Sequence, residues 1–267
     1  MKSLKWEVVE VDGINVFLRK FPILGGMMKI HRPDHLPNIK LLLPILRTKN
    51  TKQLAISPVV DQNQKQLDTW CREVSKYVRI DPTSYLPTKT IRVDLTRNEE
   101  AIFRSFSEAK RRAVRRATKL GVVIHESTNI DDLIRVKNKS GGPFGFVTTT
   151  GIKEFWPIFS PDHAAILLAR ASRNNNKIVG GVLLLLWDYV AYYWIAGAVK
   201  KGKKLFAPTL LIWEAIKLSK KRGCKWFDFV GVWDERIPKE NLEWKGFTKF
   251  KEGFEGETLY YPLIPRT

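Results

Sequence analysis

The chain has 267 residues, 44% of them hydrophobic and nine of them Trp, which is enough to pack one large core or two ordinary ones in a folded, soluble protein. Forty-six Lys and Arg against 27 Asp and Glu leave a formal net charge of +19. That charge points to a polyanionic partner (nucleic acid, nucleotide phosphates or an anionic membrane surface), with a merely solubilising basic surface as the competing reading. The two cysteines, Cys71 and Cys224, stand 153 positions apart without metal-ligand spacing; they imply no zinc site and fit a reducing compartment.

The first residues, MKSLKWEVVEVDGINVFLRK, show neither the apolar stretch nor the cleavage site of a secretory signal. The longest apolar run, Val179 to Trp187, is too short to cross a bilayer, so a cytoplasmic protein is expected. Lys5 to Val11 and Ile14 to Lys20 alternate on either side of Asp12-Gly13, the strongest short hairpin signal. Gly25-Gly26 leads into Met27 to Ile30 and then the turn His31-Arg32-Pro33-Asp34. His31 and His35 have the i, i+4 spacing of a metal pair, but Pro33 breaks the helix that such a pair needs, so both read as solvated loop histidines. Leu36 to Thr48, interrupted by Pro37 and Pro44, supports a short helix or two fragments. Leu54 to Val60 reads as a strand. Asn63 to Val78 reads as an amphipathic helix with Leu67, Trp70, Cys71, Val74 and Tyr77 on one side. Arg79-Ile80-Asp81-Pro82 then turns the chain, and the proline biases Asp81 to extended geometry.

Thr88 to Leu95 is a predicted strand, and Thr96-Arg97-Asn98-Glu99 has capping-box spacing. It opens one long helix, from Asn98 to Leu120, that Gly121 closes. The expected buried stripe is Ile102, Phe103, Phe106, Ala109, Ala113, Ala117 and Leu120, while Arg104, Glu108, Arg111, Arg115 and Lys119 stack on another face. Six basic residues fall between Lys110 and Lys119. Like charges at i, i+4 repel by roughly a few tenths of a kcal/mol each, which bound phosphate would offset; a solvated helix face is the competing reading. Val122 to His125 follows as a strand, Asp131 to Lys139 as a helix, Gly141-Gly142-Pro143 as a loop suited to a lid, and Gly151 to Phe159 as a helix limited by Pro157. Ala164 to Ala171, Ile178 to Trp187 and Val190 to Ala196 read as three antiparallel strands. After them come the basic loop AVKKGKKLFAP, a helix from Ala207 to Lys221, and an aromatic strand, Lys225 to Val230, whose single acid is Asp228. The chain continues through an amphipathic segment around Trp244 to Phe250-Lys251-Glu252-Gly253-Phe254.

The run TLLIWEAIKLSKKRGCKWFDFVGVWD, followed by WKGFTKFKEGFEG, resembles the C-terminal half of the FemABX family. Its members transfer amino acids from aminoacyl-tRNA to peptidoglycan precursors and are built from GNAT-like domains. Upstream, Arg79-Ile80-Asp81-Pro82, Pro87-Thr88, Val93-Asp94-Leu95 and AKRRAVRRATKLGV resemble the family's Asp-Pro turn, strand and Arg-rich helix in the same order. The resemblance implies a mixed α/β fold of two tandem GNAT-like units, 1–110 and 111–267, the second carrying the Phe-Lys motif. The helix from Asn98 is too short for the coiled-coil arm that some members insert, so the arm-less form is expected.

The same resemblance makes Phe250-Lys251 the functional Phe-Lys pair, with Lys251 at the oxyanion or the tRNA 3′ end and Phe250 shaping the site; a surface lysine on a strand edge is the plain alternative. Lys29, Arg32, Asp81, Arg111 and Arg115 become candidates for binding the precursor. Lys200, Lys201, Lys203 and Lys204 become candidates for tRNA phosphate. Aminoacyl-tRNA and a nucleotide- or lipid-linked muropeptide are the implied partners, and peripheral contact with an anionic membrane stays open.

The residues themselves narrow the chemistry. There is no Gly-x-Ser-x-Gly elbow, no Cys with a matched His and no HExxH, so covalent and metal mechanisms lack support, and neither a cofactor nor a metal is expected. An aminoacyl ester is already activated, so attack by an amine needs alignment, loss of a proton and a stabilised oxyanion. A CoA-dependent GNAT-type N-acyltransferase is the first alternative. It calls for a Gly-rich loop around the pyrophosphate, whereas AVKKGKKLFAP has one Gly and four lysines. A non-catalytic RNA-binding module is the second alternative.

Overall fold

The computed structural model describes residues 6–22, 25–142, 149–173 and 175–265. Two compact units emerge. One runs through Lys89 and includes the chain from Leu259 onward; the other is Thr90–Thr258. The division thus falls at Lys89 and Thr90 rather than between residues 110 and 111, because residue 110 lies inside a helix whose Val114 and Ala117 belong to the second unit's core.

The first unit is a five-stranded sheet in the order β1 (Glu7–Val11), β2 (Ile14–Phe21), β3 (Gly25–His31), β4 (Thr51–Ser57), β5 (Arg79–Ile80). Asp12 (φ 57°) and Gly13 (φ 73°) are both left-handed, as a two-residue type I′ hairpin requires, and set Val11 opposite Ile14. Helix α1 (Ile39–Thr48) joins β3 to its parallel neighbour β4, and α2 (Gln64–Val74) joins β4 to parallel β5. Leu42 and Leu46 of α1 and Leu67, Cys71 and Val74 of α2 pack on Val16, Met28, Ile30, Leu54 and Ile56 of the sheet. Helix α1 is one helix despite Pro44. That residue is exposed, so water can take the carbonyl that the proline leaves unpaired.

The second unit holds β6 (Lys89–Asp94), α3 (Glu99–Ser105), α4 (Glu108–Lys119), β7 (Val122–Ser127), α5 (Ile130–Ser140), α6 (Ile152–Phe159), β8 (Ala164–Ala171), β9 (Lys177–Trp187), β10 (Val190–Ala198), α7 (Lys200–Lys204), α8 (Ala207–Lys221), β11 (Trp226–Asp228), α9 (Lys245–Glu252) and β12 (Glu257–Tyr260). Its sheet runs β12-β6-β11-β10-β9-β8-β7. Strand β8 shows how the sheet is buried on both sides. Ala165, Leu167, Ala169 and Ala171 join the core beneath α4 and α8, while Ala164, Ile166 and Leu168 join Leu133 of α5 and Ile152 of α6. Two adjacent glycines in β9 let both layers close in. A Cβ on Gly180 would sit 3.0 Å from Leu211 Cδ1 of α8, and one on Gly181 would sit 2.8 Å from Leu133 Cδ1 of α5.

The single helix expected from Asn98 to Leu120 is two. Asn98 caps α3 through the Ala101 N–H, while Thr96, the expected cap, instead bonds Asp94 through its N–H and hydroxyl. Ser107 caps α4 through the Lys110 N–H and gives its own N–H to the Gly253 carbonyl. This break re-phases the second half. Val114 and Ala117 point into the core together with half-buried Lys110, whereas Ala109, expected inside, is exposed. Of the loop read as a lid, Gly141 caps the end of α5 and Gly142 is left-handed (φ 66°), while Pro143 lies outside the described residues.

Candidate active site

Strand β11 is three residues long, shorter than its aromatic run suggested. It pairs parallel with β10 up to Tyr192↔Asp228 and antiparallel with β6 from Trp226↔Asp94 to Asp228↔Arg92. Strand β10 runs on to Ala198 through a bulge between Tyr193 and Ile195, while the chain after Asp228 leaves the sheet. The acid in this buried strand has a structural task. The Asp228 carboxylate, 2% exposed, accepts from Thr90 Oγ1 (2.6 Å), Arg92 Nε (2.7 Å) and the Val230 N–H (2.6 Å). The last bond holds Val230 at φ 67°, a strained conformation for a β-branched residue and the kind of strain that clusters at functional sites.

Where β11 parts from β10, the carbonyls of Phe229 and Gly231 face Lys251. Its Nζ donates to them at 2.8 and 2.6 Å, which leaves one of the three ammonium protons for a ligand. Lys251 stands in the last turn of α9, not on a strand edge. Its Nζ lies 4.7 Å from the Phe247 ring centre and 6.0 Å from that of Tyr193. Loss of water around the ammonium lowers its pKa to about 8, against a smaller upward pull from Asp228. Phe250 packs edge-on to Phe254, and the Lys110 Nζ lies 3.7 Å over the Phe250 ring. Burial lowers Lys110 to about 8 as well. The local result is two poorly hydrated lysines against an aromatic cluster, one of them pinned by backbone dipoles.

In the first unit the structure brings Lys29 and Asp81 together. The Asp81 carboxylate accepts from Tyr85 Oη (2.5 Å), Gln53 Nε2 (2.6 Å) and the Thr83 N–H (2.9 Å). Lys29 Nζ sits 3.6 Å over the Tyr85 ring, and burial lowers its pKa against a raising contribution from Asp81. Asp81 itself is held below the usual carboxylate range. Desolvation pushes it up, but the bonds from Tyr85 and Thr83 and the charge of Arg79 outweigh that. Arg32, left-handed at φ 49°, donates to the carbonyls of Pro58 and Pro87 and lies 3.4 Å over the Tyr261 ring, so much of its guanidinium braces loops. His31 is no solvated loop residue. It ends β3 half-buried against Phe17, and burial, with the Lys29 and Arg32 charges, drives its pKa down to about 4. His35 is exposed beside Asp12.

The remaining basic candidates divide. Arg111 Nη1 donates to the carbonyls of Arg104 and Phe106, both at 2.6 Å, and so caps the end of α3. Arg115 is exposed, with its guanidinium 5.6 Å from the Phe103 ring centre. Lys200, Lys201, Lys203 and Lys204 are all exposed, but on the short helix α7 rather than in a loop. Its Gly202 serves packing, since a Cβ there would meet the Val179 carbonyl at 2.2 Å.

Sequence reasoning missed Lys110, Tyr85, Tyr193 and Trp233. Lys110 was hidden by the helix break, for which the Ser107-Glu108 cap was the available signal. Trp233, just beyond Gly231, keeps a buried indole N–H without a partner among the described residues, a donor free for a ligand.

Residues 166–262 match the model of the FemAB family. Among curated proteins, none matches the chain. The fold is similar to that of FemX, with a TM-score of 0.72 and 14% identity over 97% of this chain and 87% of that one. It is also similar to L-PGS from Bacillus licheniformis (TM-score 0.60, 13% identity, 98% and 85% of the two chains). A third likeness is to a tandem GNAT protein from the clavulanic acid biosynthesis pathway (TM-score 0.56, 11% identity, 97% and 82%). At these identities the likeness is one of fold, and it makes this chain two GNAT-like units in tandem.

Proposed function

We propose that this chain, whose residues 166–262 match the FemAB family and whose fold is similar to that of FemX, is an aminoacyltransferase that moves an amino acid from aminoacyl-tRNA to an amine of a peptidoglycan precursor peptide. The observation that carries this reading is the setting of Lys251: a poorly hydrated ammonium, fixed by two backbone carbonyls, with one proton left to donate. A preorganised charge of this kind suits the oxyanion that develops when an amine attacks an aminoacyl ester, because it need not reorient as the charge appears. Phe250 supports the site from the same helix turn, and Lys29, Arg32 and Asp81 serve the precursor, whose phosphates and peptide offer groups of both signs. Arg115 and the four lysines of α7 supply cations for RNA phosphate, while Arg111 contributes by holding α3 against α4. The partners are then charged tRNA and a nucleotide- or lipid-linked muropeptide. Among the described residues, no helix is long and apolar enough to cross a membrane.

A CoA-dependent acyl transfer draws less support. The glycine that might cradle a pyrophosphate is committed to packing on Val179, and the segment around it forms a short Lys-rich helix. Incubating the pure protein with mixed charged tRNA and a nucleotide-linked muropeptide, then weighing the product, tests the proposal. A mass gain of one amino-acid residue is expected. Transfer from acetyl-CoA, with none from charged tRNA, would overturn it.

A further inference from the structure

On the second unit, among α5, the start of β9 and the junction of β10 with α7, lies a pocket of about 600 Å³ that no role above uses in full. Arg135, Lys139, Arg170, Lys177 and Lys201 line it, opposed by one carboxylate, Asp132. That acid is already engaged with Arg135 at 3.0 Å. Arg135 and Lys139 stand one turn apart on α5, with Asp132 and Val136 on the same face. Arg170 is aimed by two bonds of its own, Nε to His125 Nε2 (3.2 Å) and Nη1 to the Asn176 carbonyl (3.1 Å). The floor is aliphatic, with Val136, Ile178 and Val199.

Five cations around one concavity repel one another, and five against one leaves four positive charges unbalanced there. On a flat, solvated face such charges spread apart. Here four separate elements bring them to the rim of one pocket, over an apolar floor. We infer that this pocket binds a nucleotide through its phosphate, with the base or sugar against Val136, Ile178 and Val199. The size suits one or two nucleotides. The same chemistry could come from the backbone phosphates of an RNA strand or from a free nucleoside diphosphate. This inference deepens the reading of α7 as an RNA contact, because it ties Lys201 to four cations outside that helix. It does not depend on any transfer chemistry.

The test uses the full chain and ligands that carry no amino acid. A fluorescent single-stranded RNA ending in CCA, and separately a fluorescent ADP, are titrated by anisotropy against the wild type, an Arg135→Ala/Lys177→Ala/Lys201→Ala variant, and a control of equal charge, Lys40→Ala/Arg47→Ala/Lys76→Ala. For RNA we expect the pocket variant to bind at least tenfold more weakly, with a log–log salt slope shallower by about 2, since each lost phosphate contact removes about 0.7 for single strands. The control should change binding by less than threefold. Weakening of RNA binding alone assigns the strand as the source, and weakening of ADP alone assigns the free nucleotide. All six residues are exposed, and a melting curve for each variant checks that folding is intact. Equal losses in the pocket variant and the control, or no loss in either ligand, would overturn the inference. A Lys251→Met protein that binds RNA normally yet fails to transfer would separate this site from the transfer centre.

Discussion

Two of the desolvated lysines beside aromatic rings, Lys29 in the first unit and Lys251 in the second, differ in what answers their charge. Lys29 is desolvated, but the Asp81 carboxylate answers part of its charge. Lys251 is held by two neutral carbonyls, and the carboxylate that might have served it, Asp228, is already paired with Arg92. A cation whose hydrogen bonds go to neutral carbonyls, with only a smaller pull from an Asp228 already paired with Arg92, keeps more of its field for an incoming anion than one facing a carboxylate. In the function proposed above, this difference gives ground-state binding to the first lysine and charge stabilisation during reaction to the second.

The sharpest way to break that contrast is to delete each ammonium in turn. Lys251→Met should lower kcat roughly a hundredfold with little change in KM, the signature of an interaction made in the transition state. Lys29→Met should raise the KM for the precursor several-fold and leave kcat nearly intact. Steady-state kinetics on both variants decide it, and equal effects on the two parameters would erase the distinction. Lys251→Met also strips the Phe229 and Gly231 carbonyls of their donor. Its melting temperature should therefore fall by several degrees, through a loss of about 1–3 kcal/mol.

The two carboxylates give the next largest contrast. Asp228→Asn removes the charge partner of Arg92 inside the sheet and should destabilise the fold by roughly 3 kcal/mol in urea titrations. Asp81→Asn, whose hydrogen-bond donors are neutral, should cost about 1 kcal/mol and act mainly on precursor binding.

Titration separates the roles a third way. With the folded pKa of Lys251 near 8, kcat should fall as pH rises through about 8 and the ammonium is lost. Stability runs the other way. Between about 8 and the ordinary lysine value of 10.5 the unfolded chain holds the proton that the folded chain has released, so stability rises with pH. Lys110 shares the stability rise but not the loss of activity. A pH–rate profile of Lys110→Met should thus keep the alkaline limb that Lys251→Met loses.

The smallest effect divides the Arg-rich helix. Arg111→Ala should lower stability by about 1 kcal/mol, because it caps α3. Arg115→Ala should leave the melting temperature unchanged and weaken RNA binding slightly, measured as a shallower salt dependence.

Local pattern alone determined much of this protein. The Asp12-Gly13 hairpin, the strands from Ala164 to Ala198, the helix from Ala207 and the order of elements follow from period, turn chemistry and caps, which act within a few residues. Phe250-Lys251 was picked out as a candidate through resemblance. Only the tertiary structure decided the rest, since each such feature depends on partners distant in sequence. The helix break at Ser107 is tied by the Gly253 carbonyl. Asp228 is a buried brace because Thr90 and Arg92, more than 130 positions away, reach it from the next strand. Lys251 has its lowered pKa because α9 returns to bury its ammonium beside Phe247 and Tyr193, where water is excluded. Residue type and spacing set which elements form; burial and charge at the site arise only when those elements are packed together.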